Sequence, residues 1–199
     1  MKRRAVSHQV GFAVDSIILC DTKEPQSHSI LGGPMHFVAI ALSVFLSTVA
    51  LAAPHKFTRM NGPNVGQEYS TDDFKGQNVV YVYEFYSNGC GMCNQNAPEL
   101  ALLQETFKDR PEVQILNVGL DRNQSDYDAW RRKHGDQVQV VKDTYKVADT
   151  FSFRFIPQVY VLDCNLNIVL DFPPNVWSSS DHQAIQKVIE DTLKSQTCS

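Results

Sequence analysis

The chain has no surplus of positive charge, since 18 Lys and Arg stand against 22 Asp and Glu in 199 residues, a formal net charge of −4. Without a basic field nothing draws it to nucleic acid or to an anionic membrane surface, so nucleic acid is not expected among its partners. Cysteine is scarce as well. Five residues are too few for the framework of a disulfide-dense miniprotein, so any bridge is a single staple or carries chemistry. There is no internal repeat and no low-complexity tract, and the length allows one domain with a tail rather than two cores. What is present, 43% hydrophobic and 20% charged residues, is the composition of a folded globular protein.

Long apolar runs are also few. From Phe37 to Ala53 there are 17 residues without a charge, at the short end of what spans a bilayer, and Ala50-Leu51-Ala52 fits the A-x-A pattern of signal cleavage. The expected organisation is therefore an unstructured or untranslated stretch over 1–34, a secretory signal over 35–52 and a folded domain over 53–199. Lys2, Arg3 and Arg4 lie far upstream of the apolar run, which suggests a true start at Met35. The alternative is an uncleaved anchor, which would be the chain's one contact with a membrane. The exported domain keeps Cys90, Cys93, Cys164 and Cys198, an even number that permits full pairing.

Beyond the signal, strand and helix signals alternate. Val79 to Tyr86 is an unbroken β-branched and aromatic run, the mark of a strand covered on both faces. Asn94 to Asp109 has Leu100, Leu103 and Phe107 at helical spacing, with Pro98 expected to kink it. Val113 to Leu120 reads as a second strand, Ser125 to His134 as a surface helix stopped by Gly135, Gln137 to Val141 as a short strand, and Thr144 to Phe151 as a short helix. Gln158 to Leu162 and Asn167 to Phe172 make a hairpin across Asp163-Cys164-Asn165-Leu166. Ser180 and Gln183 read as the capping box of a last helix with an Ile185, Val188, Ile189 and Leu193 stripe.

The strongest chemical signal is Cys90-Gly91-Met92-Cys93, directly after the buried strand and at the start of a helix. Unpaired N–H groups and the positive dipole end stabilise a thiolate there, lowering its pKa from about 8.5 to as low as about 3.5–7.5. Cys90, nearer the helix end, is the attacking sulfur, and Cys93 is spaced to resolve a mixed disulfide formed on it. Half of a zinc site and an inert bridge are the competing readings. Zinc needs two more ligands at matching spacing, and Cys164 and Cys198 stand alone, so no metal and no cofactor is expected.

A strand followed by CxxC and a helix, Pro98 five residues beyond the second cysteine, and Phe155-Ile156-Pro157 before the hairpin together resemble the thioredoxin superfamily over roughly residues 65–195. The additional helix and strand between 121 and 143, with the signal segment, look most like the exported TlpA-like branch. The resemblance implies an α/β thioredoxin fold, a central mixed β-sheet flanked by helices with a TlpA-like helix and strand insertion. It also implies a thiol:disulfide oxidoreductase in the periplasm or another exported envelope compartment. Its partners would be protein thiols and disulfides, and a membrane electron-donor protein would recharge it. The resemblance further implies a cis bond between Ile156 and Pro157 facing the cysteines, which exposes the Ile156 backbone to an extended substrate. Glu84, in an otherwise apolar strand, would accept the proton of Cys93; a solvent-facing Glu on an edge strand is the alternative. Gly89 stands where thioredoxins carry Trp, and Gly-Met where they carry Gly-Pro, so the redox direction does not follow, although a reductant is the favoured reading.

Cys164 sits in the hairpin turn and the last helix runs back towards it, so a structural bridge to Cys198 is expected; free thiols or an intermolecular link are the alternatives. Trp130 and Trp177 read as packing or surface anchors, Arg131-Arg132-Lys133 as a solvated helix face, and His55, His134 and His182 as scattered. A Cu(I)-delivery module using the same two cysteines, or a non-catalytic domain with an oxidised CxxC, would be the rival functions.

Overall fold

Aromatic and β-branched residues concentrate in the Val80–Tyr86 segment, and every one of its seven residues is buried, which requires cover on both faces. The computed structural model, which describes residues 52–198, builds a seven-stranded sheet around it. The strands are β1 (Lys56–Arg59), β2 (Glu68–Ser70), β3 (Val80–Tyr86), β4 (Val113–Gly119), β5 (Gln139–Lys142), β6 (Gln158–Leu162) and β7 (Ile168–Phe172), with helices α1 (Gly91–Thr106), α2 (Gln124–His134) and α3 (Ser179–Ser195). Their order is β2-β1-β5-β4-β3-β6-β7. The β3–β4 and β4–β5 pairs are parallel; β3–β6, β6–β7, β1–β5 and β1–β2 are antiparallel. The sheet is thus mixed, as expected. The segments proposed as disordered leader and signal, 1–34 and nearly all of 35–52, lie outside the described residues. Among the described residues no helix is long and apolar enough to cross a membrane.

Alternation along β3 sorts the core into two layers. Tyr81, Tyr83 and Phe85 join Phe57, Tyr69, Leu116, Val118, Phe151 and Tyr160 in an aromatic layer that contains no residue of the three helices. Val80 and Val82 point the other way, onto Leu100 and Leu103 of α1 and Ile185 and Ile189 of α3. At the C-terminal end of the same face, Tyr86 packs with Cys93 and Ala97 of α1 and with Tyr127 and Trp130 of α2. Burial of these side chains stabilises the fold by about 1.5–3 kcal/mol each before entropy is counted.

Several local expectations move. Helix α1 begins at Gly91 rather than Asn94, because the Cys90 sulfur accepts the Cys93 N–H and caps the first turn, and it runs through Pro98 without ending. The capping box is Ser178 with Asp181, not Ser180 with Gln183, because the Asp181 carboxylate accepts from the Ser178 N–H at 2.8 Å, a charge-assisted bond that Gln cannot match. The Thr144–Phe151 helix shrinks to a single 3-10 turn, Val147–Thr150, held by the Asp143 carboxylate on the Val147 and Ala148 N–H groups. Strands β1 and β2 were not anticipated; at four and three residues they are too short to show a period.

Cys164 and Cys198 are joined in a disulfide with Cα atoms 5.6 Å apart. The tail after α3 is tied to the hairpin turn besides, since the Cys164 N–H donates to Gln196 Oε1 and the Asn165 amide donates to the Thr197 carbonyl.

Candidate active site

Where β3 ends, the chain must turn and start a helix within four residues, and Asp121, two residues beyond the neighbouring β4, organises the turn. Its carboxylate accepts from the Ser87 hydroxyl at 2.7 Å and from the Asn88 N–H at 2.8 Å. Asp121 is itself placed by α2, whose Tyr127 hydroxyl bridges the Gly119 and Asp121 carbonyls at 2.8 and 2.9 Å. Gly119 is required there, for a Cβ would come within 2.4 Å of the Tyr127 ring.

Cys90 follows as the N-cap of α1 and is bonded to Cys93 in a disulfide, Cα to Cα 5.3 Å. The two sulfurs are not equivalent. Cys93 is 0% exposed, whereas Cys90 is half-buried at the rim between exposed Gly89 and Gly91. The Cys93 N–H, one of the orphan donors of the helix start, donates to the Cys90 sulfur at 3.1 Å, where negative charge is favoured.

Opposite the disulfide the loop between the 3-10 turn and β6 brings in the Ile156 carbonyl, 3.7 Å from the Cys90 sulfur, and the Ile156–Pro157 bond is cis. Exposed apolar residues flank the opening on both sides, Met92 at 39% and Phe155 at 69%.

Glu84 lies on β3 facing α1, on the side of the sheet where Cys93 is buried, and it is 0% exposed on a central strand. The reading as a solvent-facing edge residue is thereby excluded. Its Oε2 accepts from the Asn117 amide at 2.8 Å, directly across the β3–β4 ladder, while Oε1 is buried without a partner. Desolvation pushes its pKa from 4.5 to about 8, so at neutral pH the carboxyl holds its proton and is poised to give and take one near pH 8. Asn117 was missed from sequence. An Asn inside the run VQILNVG, one strand away from a buried Glu, was the signal for it.

The structure thus brings Cys90, Cys93, Ile156, Pro157 and Glu84 to one end of the sheet, and Cys164–Cys198 to a separate place at the β6–β7 turn. Among the described residues no group of three or more His, Cys, Asp or Glu is arranged to hold a metal ion. Trp130 and Trp177 are both buried; Trp130 lies on Tyr86 with ring centroids 4.1 Å apart. His55 packs against Tyr83 and Phe151, away from the cysteines.

Comparison with known proteins gives the same frame. The model of the AhpC/TSA family matches residues 51–170. No curated protein matches the chain. Solved structures do. The thioredoxin domain of a thiol-disulfide oxidoreductase from Bacteroides vulgatus is 21% identical with a TM-score of 0.56, covering 72% of this chain and 99% of that one. A thiol:disulfide interchange protein of the thioredoxin family from Chlorobium tepidum TLS is 16% identical with a TM-score of 0.57, covering 71% and 94%. A secreted Mycobacterium tuberculosis disulfide oxidoreductase, described as homologous to E. coli DsbE, is 14% identical with a TM-score of 0.53, covering 68% and 94%. At such identities the likeness is one of fold, and the fold is that of thioredoxin.

Proposed function

Because the chain belongs to the AhpC/TSA family of the thioredoxin superfamily, we propose that it is an exported thiol:disulfide oxidoreductase that reduces cysteines of other proteins in the cell envelope through Cys90 and Cys93. The observation that carries this reading is the asymmetric disulfide, its outer sulfur capping a helix and its inner sulfur buried on the side of Glu84.

In the reduced protein, the Cys90 thiolate attacks one sulfur of a substrate disulfide. A Cys90–substrate disulfide forms, the substrate S–S bond breaks, and one substrate sulfur leaves as thiolate. Glu84 is mostly protonated at neutral pH, and its deprotonated fraction, which grows towards pH 8, takes the proton of the Cys93 thiol; the Cys93 sulfur then attacks the Cys90 sulfur, which closes the Cys90–Cys93 bond and releases the second substrate sulfur. Two electrons have moved from the dithiol to the substrate. A dithiol carrier protein, which we place at the membrane, restores the pair by the reverse exchange. An extended substrate segment pairs with the Ile156 backbone beside Cys90, with Pro157 shaping that edge. Export rests on the apolar run from Phe37 to Ala53 and its A-x-A end.

Trapping tests this. Reduced Cys93→Ser should accumulate a mixed disulfide on Cys90 with a disulfide-bonded model substrate protein, and Cys90→Ser should accumulate none. Stoichiometric Cu(I) binding by the wild type with no mixed disulfide from Cys93→Ser would overturn it in favour of metal delivery.

A further inference from the structure

One polar group beside the cysteines takes no part in the exchange itself. Asn94, in the first turn of α1, has both N–H bonds and both carbonyl lone pairs of its side-chain amide engaged. Its Nδ2 donates to the Cys90 carbonyl at 2.7 Å and to the Asn88 carbonyl at 3.1 Å, on either side of Gly89. Its Oδ1 accepts from the Lys133 ammonium at 2.7 Å and from His134 Nε2 at 2.8 Å, at the far end of α2. A single amide thus clamps the turn that presents the reactive sulfur and ties it to the C-terminus of another helix.

That helix end is well anchored. The His134 ring lies on Trp130, centroids 4.3 Å apart, and Trp130 on Tyr86 of β3. Burial and the neighbouring Lys133 hold the His134 pKa down, so at neutral pH the imidazole is an uncharged donor and Lys133 is the charge at this place. The opposing anion is Asp121, which faces the turn from the loop after β4 and is engaged by Ser87 and Asn88. Lys133 polarises the amide whose N–H groups reach the Cys90 and Asn88 carbonyls, and its ammonium adds positive potential at the α1 N-terminus, where a thiolate gains from it.

We infer that Asn94 is a positioning residue that fixes the Cys90 turn and holds the Lys133 ammonium against the first turn of α1, where its charge favours the Cys90 thiolate over the thiol. The inference rests on Cys90 being the reactive sulfur of the proposed exchange. Exposed Lys133 would then tune the reaction from another helix without touching substrate.

The test is the pH dependence of Cys90 alkylation by iodoacetamide in the fully reduced protein, which requires no substrate protein and so fails or succeeds independently of the exchange reaction. Lys133→Met removes the charge from an exposed side chain and should leave folding intact. It should raise the Cys90 pKa and slow alkylation at neutral pH about two- to five-fold, the scale of a partly screened surface charge. Lys133→Arg should restore the rate. Asn94→Leu should lower it at least as far, and adding Lys133→Met to Asn94→Leu should change little more, since the ammonium is no longer held. An unchanged Cys90 titration in Lys133→Met, or a full additional loss in the double variant, would overturn the inference.

Discussion

Replacing Glu84 with glutamine makes the buried carboxyl's cost measurable. In the folded protein desolvation raises its pKa from 4.5 to about 8. Between those two values the folded state keeps a proton that the unfolded state releases. Stability therefore falls as pH rises through that window, by about 1.4 kcal/mol per pH unit and at most about 5 kcal/mol altogether, and is flat on either side of it. The glutamine side chain keeps an oxygen for the Asn117 amide and does not ionise, so the variant lacks this loss. The assay is urea unfolding of the oxidised wild type and Glu84→Gln from about pH 4 to about pH 9, taking the difference between the two so that groups common to both cancel. The wild type should weaken against the variant steadily from about pH 5 to about pH 8 and level off above. A domain holds only about 5–15 kcal/mol, so the change is large against the whole. A difference that stays constant over the range would refute the argument that Glu84 is a desolvated, protonated acid.

Other perturbations probe the frame around the site. Replacing Cys164 and Cys198 together by Ser opens a bridge across 34 positions and should cost about 3–4 kcal/mol by the chain-entropy estimate, read as a shift in the urea midpoint with the Cys90–Cys93 exchange rate unchanged. Gly119→Ala drives a Cβ to within 2.4 Å of the Tyr127 ring, so a loss of about 1–3 kcal/mol in thermal or urea unfolding is expected. Asn96→Ala leaves the buried Trp177 N–H and the Asn175 carbonyl without the side-chain partner they have at 2.9 Å. That should cost about 1–3 kcal/mol, and Asn96→Asp should cost at least as much, because its buried carboxylate has no N–H to give the Asn175 carbonyl.

What could be read in advance followed from the strength of each local signal. Apart from Glu84, Val79 to Tyr86 is apolar on both faces, which a central strand alone explains, and the CxxC at its end marked Cys90 and Cys93 as the candidate redox pair. The edge strands β1 and β2 escaped because KFTR and EYS are shorter than any period they could display. At α3 three consecutive serines, Ser178 to Ser180, offered three possible caps, and only the reach of Asp181 decides between them. Glu84 was visible as an anomaly, yet its partner Asn117 depended on the register of β3 against β4. Asn94 was harder still, because its four bonds connect residues 39 and 40 positions away with neighbours four and six positions back. The exposed helix face that carries Arg132 and Lys133 thus also reaches, through Lys133, the Asn94 amide that holds the turn before α1.

Equilibration of the purified domain with reduced and oxidised glutathione tests the central claim most directly, with the state of each cysteine pair followed by mass after thiol blocking. Cys90 and Cys93 are expected to interconvert reversibly as a two-electron pair, with a midpoint near the thioredoxin value of about −270 mV for a reductant, while Cys164–Cys198 stays oxidised. A Cys90–Cys93 bond that resists reduction to below about −300 mV, as structural disulfides do, would contradict that claim.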